Sequence, residues 1–173
     1  MIKKVNKGIL FWIEGFSGSG KTTLAKKIKS KINKLYGPTI LINGDDIRSI
    51  FKLNDFSKLG RLNVFKKYVL ISRLITNQKI NLIFTVVGLN KKYQYLLKKK
   101  FKNIITILIK TNIHKVSKMK IKKTYEEKEN IVGLNIKPDY PKYEIILVNN
   151  FKKNLDKLSL ELINKIKKKL PHK

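Results

Sequence analysis

Gly15-Phe16-Ser17-Gly18-Ser19-Gly20-Lys21-Thr22 fits G-x-x-x-x-G-K-[ST] in full. Residue types at that spacing suit a bound polyphosphate. Glycines let backbone N–H groups wrap phosphate oxygens that a side chain would keep away. A helix starting at the lysine adds unpaired N–H donors and the positive end of its dipole. Lys21 reaches the β- and γ-phosphates of a nucleoside triphosphate, and Thr22 offers its hydroxyl to Mg²⁺. Gly15, Ser17, Gly18, Ser19, Gly20, Lys21, Thr22 and Thr23 are the expected ATP contacts. The rival dinucleotide fingerprint fails, because Gly18-Ser19-Gly20 runs into Lys-Thr-Thr without a third glycine. A second constellation is Asn43-Gly44-Asp45-Asp46-Ile47-Arg48. A carboxylate there can accept the proton of an attacking hydroxyl or hold Mg²⁺ through water. It can equally be a turn in which Asp45 or Asp46 caps a helix.

Elements that position these residues are legible as apolar patterns. Residues 9–14 read as a buried strand ending at the glycine-rich turn. Leu24, Ile28, Ile32 and Leu35 share one face of a helix stopped by Gly37-Pro38. Thr39–Ile42 is a second strand, so the Asp45 constellation falls at the same sheet edge as the phosphate loop. Val64, Tyr68, Ile71 and Ile75 mark another helix, Leu82–Val87 a third strand, and Lys91–Lys100 a helix. Ile104–Ile109 is a fourth strand, unbroken enough to be central. Residues 114–142, with Pro138 and Pro141, predict a helix plus a mobile loop. Ile145–Val148 is a short fifth strand, and Leu155, Leu158, Leu162 and Ile166 make a closing helix. The alternation predicts an α/β fold: one domain over 1–173, a five-stranded, mostly parallel sheet with helices on both faces.

Composition narrows the class. The chain has 173 residues and no cysteine, which excludes disulfides, thiolate metal sites and a cysteine nucleophile. His114 and His172 are too few for a histidine-rich metal site. No apolar run approaches the roughly 18 residues of a membrane span, and the N-terminal run is too short for a signal peptide. A cytoplasmic location without a membrane partner is expected. The net charge of +29 attracts polyanions. Yet 37 Lys, 25 Ile and 16 Asn beside 3 Arg and 1 Ala follow AT-rich codons, which explains most of the charge. Lysines are spread over every segment, so nucleic acid is a secondary reading as partner.

Taken in order, these motifs resemble those of adenylylsulfate kinases. Gly15 through Ala25 matches G-x-S-G-[SA]-G-K-[ST]-T-[LI]-A. Asn43 through Arg48 matches D-G-D-[ND]-[IV]-R except at the first Asp. Phe56, Ser57 and Arg61 match G-F-S-x-x-D-R in part. Lys122-Lys123-Thr124-Tyr125, Asn130 through Asn135, and Pro141 with Glu144-Ile145 follow the order of the family's later motifs. The resemblance implies a P-loop kinase fold with a lid segment near 114–142. It implies transfer of the γ-phosphoryl of ATP, with Mg²⁺, to the 3′-hydroxyl of a small nucleotide acceptor, adenylylsulfate first. A homodimer is compatible with it. By the same resemblance Asp45 is the base or metal-organising carboxylate, with Thr22 as its partner at the metal. Arg48 and Arg61 clamp the acceptor's anion, Phe56 stacks on its base, and Ile131 stands at the second stacking position. Lys122, Lys123, Tyr125, Asn130 and Gly133 belong to the lid.

The arginines carry a physical argument of their own. Arg48, Arg61 and Arg73 are the only three among 40 basic residues. Two of the three fall at the positions that the resemblance assigns to the anion clamp, where a planar fork binds bidentately as lysine cannot. Departures from the family pattern gather on the acceptor side. Asn43 replaces an Asp, Arg61-Leu62-Asn63-Val64 lacks the expected acceptor-binding Asn, and Ile131 replaces a Phe. Val86-Val87-Gly88-Leu89 lacks the family's serine after the third strand. The pattern also allows a changed acceptor, such as cytidine diphosphoramidate in capsule assembly. A nucleic-acid-binding P-loop protein, or one that has lost phosphotransfer, are the remaining alternatives.

Overall fold

In a computed structural model that describes residues 7–118 and 130–170, strand β1 (Leu10–Glu14) runs through the middle of the molecule with all five residues buried. The other strands are β2 (Thr39–Asn43), β3 (Asn81–Val86), β4 (Ile104–Lys110) and β5 (Ile145–Val148). Their order is β2-β3-β1-β4-β5, and every pairing is parallel. The central strand is therefore β1, not β4. β4 is interior, between β1 and β5, which is why its apolar run is equally unbroken. Register aligns Glu14 with Val86 and Leu108, and Asn43 with Thr85. The carboxyl ends of β1, β2 and β3 thus form one ledge.

Among the described residues six helices flank the sheet: α1 (Lys21–Tyr36), α2 (Gly44–Ile50), α3 (Lys58–Asn77), α4 (Lys91–Lys100), α5 (Ile113–Lys118) and α6 (Leu155–Lys169). Alternation along β1 divides the core in two. Phe11 and Ile13 meet Leu24, Ile28 and Ile32 of α1 and Leu158, Leu162 and Ile166 of α6. Leu10 and Trp12 meet Val64, Phe65 and Tyr68 of α3, Ile47 of α2 and Leu97 of α4. Trp12 packs edge-on to Phe65 at 6.4 Å and against Phe84 at 5.2 Å. Truncating such a ring costs about 3–5 kcal/mol.

The sequence reading of 39–50 left open a turn in which Asp45 or Asp46 caps a helix. Residues Gly44–Ile50 form α2, seven residues too short to show a periodicity. Neither Asp45 nor Asp46 caps it; both lie in its first turn, with Asn43 at the N-cap. Residues 130–142 form an irregular segment with isolated bridges Val132–Ile136 and Asn90–Asp139. The expected lid residues Lys122, Lys123 and Tyr125 lie outside the described residues, as does His172. Among the described residues no helix is long and apolar enough to cross a membrane.

Candidate active site

The glycine-rich turn leaves β1 and enters α1 through Gly20, whose φ of 89° places it in the left-handed region glycine favours. The loop is closed by its own backbone: Ser19 N–H donates to the Phe16 carbonyl at 3.1 Å, and Lys21 Nζ to the same oxygen at 2.6 Å. Asn149, beyond β5, donates from Nδ2 to the Ser19 carbonyl at 3.0 Å. Ser17, Gly18, Gly20, Lys21, Thr22 and Thr23 line a cavity of about 120 Å³ together with Asn43, Asp45 and Thr85. Gly15 and Ser19 stand behind this surface. A Cβ at Gly15 would lie 2.7 Å from the Ile109 carbonyl, and Ser19 is fully buried with its Oγ unpartnered.

Oxygen donors gather at the mouth of α1. Thr85 Oγ1 donates to Asn43 Oδ1 at 3.1 Å, Thr22 Oγ1 approaches the same oxygen at 3.4 Å, and Asn43 Nδ2 donates to Asp46 Oδ1 at 3.0 Å. Asn43 thereby occupies itself with neighbours instead of carrying charge. Asp45 stands beside it at the start of α2. Gly44 beneath allows close approach, since a Cβ there would meet Tyr68 Oη at 3.0 Å and the Thr85 carbonyl at 3.1 Å. Tyr68 donates to the Gly44 carbonyl at 2.8 Å; burial pushes its phenol pKa up to about 12, so it stays a donor.

Asp45 also lines a second, larger cavity of about 480 Å³ between α2, α3 and the 130–132 segment. Ser17, Val86 and Val87 are the other residues common to both cavities. Arg48, Phe56, Arg61, Asn130 and Ile131 all face the larger one. Arg48 lies over the Phe56 ring at 4.5 Å and Arg61 at 5.9 Å. Both are presently tied to carbonyls: Arg48 Nη1 to Leu53 at 2.7 Å, Arg61 Nε to Phe56 at 2.8 Å, and Arg61 Nη2 to Asn130. Burial, then the neighbouring Arg48 cation, lowers the Arg61 pKa from its ordinary value. Two mutually repelling guanidinium groups around one aromatic face favour an anion between them. Gly133 sits elsewhere: with φ 99° it packs against the Phe16 ring of the phosphate loop. Among the described residues no cluster of three His, Cys, Asp or Glu side chains forms.

Three residues escaped the sequence reading. Glu14, Tyr143 and Asn149 are close to the site, and only Glu14 left a signal: an acid ending an otherwise apolar buried strand. A Cβ at Gly88 would lie 2.2 Å from Glu14 Oε1, so the carboxylate occupies the space a side chain after β3 would take.

A parallel sheet whose central strand feeds a complete G-x-x-x-x-G-K-[ST] loop, with a carboxylate just beyond the end of β2 on the same ledge, defines a P-loop kinase. Within that class the Adenylylsulphate kinase family model matches residues 7–143, and the chain belongs to this family. It is an ATP-dependent phosphotransferase acting on a hydroxyl group. It is 28% identical over 136 residues to cytidine diphosphoramidate kinase of Campylobacter jejuni, covering 75% of this chain and 79% of that protein. It is 25% identical to a probable adenylyl-sulfate kinase of Aeropyrum pernix, covering 76% and 78%. Its fold matches that of an APS kinase of Mycobacterium tuberculosis, solved in complex with AMPPNP and APS. That match has a TM-score of 0.80 at 18% identity and covers 93% of this chain and 98% of the other.

Proposed function

We propose that the protein transfers the γ-phosphoryl of ATP to the 3′-hydroxyl of an anionic nucleotide. The observation that carries this reading is Asp45, which lines both the phosphate-loop cavity and the larger cavity with Arg48, Phe56 and Arg61. ATP phosphates lie on the loop, with Lys21 against the γ-phosphoryl. Arg48 and Arg61 turn from their carbonyls to the acceptor's anion, and Phe56 stacks on its base. Asp45 takes the hydroxyl proton as the acceptor oxygen bonds to γ-phosphorus and the bond to the β–γ bridging oxygen breaks, releasing ADP. Thr22, Thr85, Asn43 and Asp45 supply hard oxygen donors suited to Mg²⁺, which keeps few protein ligands alongside phosphate oxygens and water. When bound, Mg²⁺ neutralises charge on the phosphates. ATP as donor supports the reading of a reaction in the cytoplasm.

Adenylylsulfate is the first acceptor. Cytidine diphosphoramidate is the second, favoured by one feature of the cavity: Ile131 faces it where a second aromatic would complete a base sandwich, and a pyrimidine needs less stacking surface. The test is ADP formation from ATP and Mg²⁺ with the two acceptors offered singly and in competition. ADP formation that depends on either acceptor supports the reading. ADP formation indifferent to both contradicts it.

A further inference from the structure

Glu14 has no part in the reaction described above, yet among the described residues it is the fully buried acid, 1% exposed. Its carboxylate also lines the larger cavity. Three donors from three different places converge on it. Trp12 Nε1 of β1 donates to Oε1 at 2.8 Å. The Leu89 N–H, in the turn after β3, reaches Oε2 at 3.4 Å. Tyr143 Oη, from the segment that precedes β5, donates to the same oxygen.

That turn needs holding. Gly88 has φ 51° and Leu89 φ 53°, and leucine is unfavourable in the left-handed region. Leu89 is fastened from both sides. Its N–H meets Glu14, its carbonyl accepts from Asp139 N–H at 3.0 Å, and its side chain is buried with Phe16, Leu108 and Val132. Val87 and Gly88 form one wall of the larger cavity, and Asn130, Ile131 and Val132 form another. The first wall hangs on Glu14 directly. The second belongs to the segment that Tyr143 and Asp139 anchor. The phosphate loop touches this turn through Phe16 and Val87, but it has further ties of its own through Lys21 and Asn149.

We infer that Glu14 is a positioning residue for the acceptor: its carboxylate clamps the Val87–Leu89 turn to Tyr143 and so sets the spacing between the two walls of the acceptor cavity. The inference rests on reading this cavity as the acceptor site. Steady-state kinetics of the full chain test it, with ATP, Mg²⁺ and whichever of adenylylsulfate and cytidine diphosphoramidate the wild type uses. Glu14→Ala raises acceptor KM about 10- to 100-fold, the loss expected when three hydrogen bonds that hold the turn are removed together. ATP KM rises less than acceptor KM, because Val87 borders the phosphate cavity but the loop keeps its own ties to Lys21 and Asn149. Glu14→Gln keeps size and one acceptor oxygen and recovers most of the loss, while Tyr143→Phe gives an intermediate rise. Folding of each variant is checked by circular dichroism and cooperative unfolding. If Glu14→Ala does not fold, the Glu14→Gln and Tyr143→Phe pair decides: a larger rise in acceptor KM than in ATP KM in Tyr143→Phe supports the inference. Unchanged acceptor KM, or equal rises for both substrates, overturns it. Failure of the acceptor-site reading shows earlier and separately, as a wild type that phosphorylates no nucleotide, and overturns both.

Discussion

The donor half and the acceptor half of this molecule are built from different material. The phosphate loop works through backbone: Gly18 and Gly20 face the small cavity, and loop carbonyls are pinned by Lys21 and Asn149. The acceptor half works through side chains mounted on α2, on α3 and on irregular segments, with Arg48, Phe56, Arg61 and Ile131 around one cavity. A backbone cradle tolerates no partial change, because any added Cβ fills the space the phosphate needs. A side-chain cavity can be retuned one residue at a time. That difference accounts for a motif complete on one side and altered on the other in the same chain.

The comparison can be broken most severely from the donor side. Lys21→Ala should lower kcat by about 10³–10⁵-fold, the range for a cation acting on a transferred phosphoryl. Far-UV circular dichroism should be unchanged, since the lysine supports no core. A folded variant with near-normal turnover would mean that the loop does not serve phosphotransfer. At the junction, Asp45→Asn should lower kcat by about 10²–10⁴-fold with both KM values little changed. A variant with wild-type kcat would leave Asp45 as a first-turn helix residue, with Asp46 next to test.

Smaller effects sharpen the acceptor half. Arg48→Lys keeps charge but loses the fork, and should cost about 1–3 kcal/mol in kcat/KM for the acceptor. ATP KM should stay constant. An equal loss for both substrates would assign Arg48 to loop structure through its Leu53 and Asp55 carbonyls. Ile131→Phe should improve kcat/KM for an adenine acceptor over a cytosine one by about 2- to 10-fold, the worth of an added aromatic contact. No change in that ratio would remove Ile131 from base recognition.

The smallest expected effect is on stability. Burial raises the Glu144 pKa, but hydrogen bonds from Lys98 at 2.5 Å and from Thr106 outweigh it and hold the carboxyl below its ordinary value. A lowered carboxyl pKa gives stability that is present above the unfolded value and lost as pH falls through the folded one. Glu144→Gln should therefore cost about 1 kcal/mol at pH 7. The gap from wild type should close as pH falls below about 4. Thermal unfolding of both proteins between pH 3 and 7 measures it, and a gap independent of pH would show that the carboxylate's charge contributes nothing.

Strands were legible because apolar runs stand out sharply in a lysine-rich chain, and the phosphate loop because its chemistry requires residue types at fixed spacing. The strand read at Ile104–Ile109 was placed at the centre for a physical reason: a strand flanked on both sides has the same buried pattern at the middle as one place away from it. Helix α2 was hidden by its length. The gathering of Arg48, Phe56 and Arg61 with Ile131 came from motif order and not from any local pattern. No apolar or charge pattern in 130–143 shows that the segment returns to the cavity; the family motif alone placed Ile131 there. Glu14 and Tyr143 could not be paired from sequence, since 129 positions separate them and only the fold brings them together.

The central claim is that a phosphoryl group crosses from the loop to an anionic nucleotide beside Asp45. The most direct measurement is the position of the new phosphate, mapped by ³¹P–¹H NMR on the product made from ATP, Mg²⁺ and adenylylsulfate or cytidine diphosphoramidate. A monoester on the 3′-oxygen of the ribose of at least one of them, formed one-for-one with ADP, is the expected product. ADP released with both nucleotides intact, or a phosphate placed anywhere else on them, would contradict it.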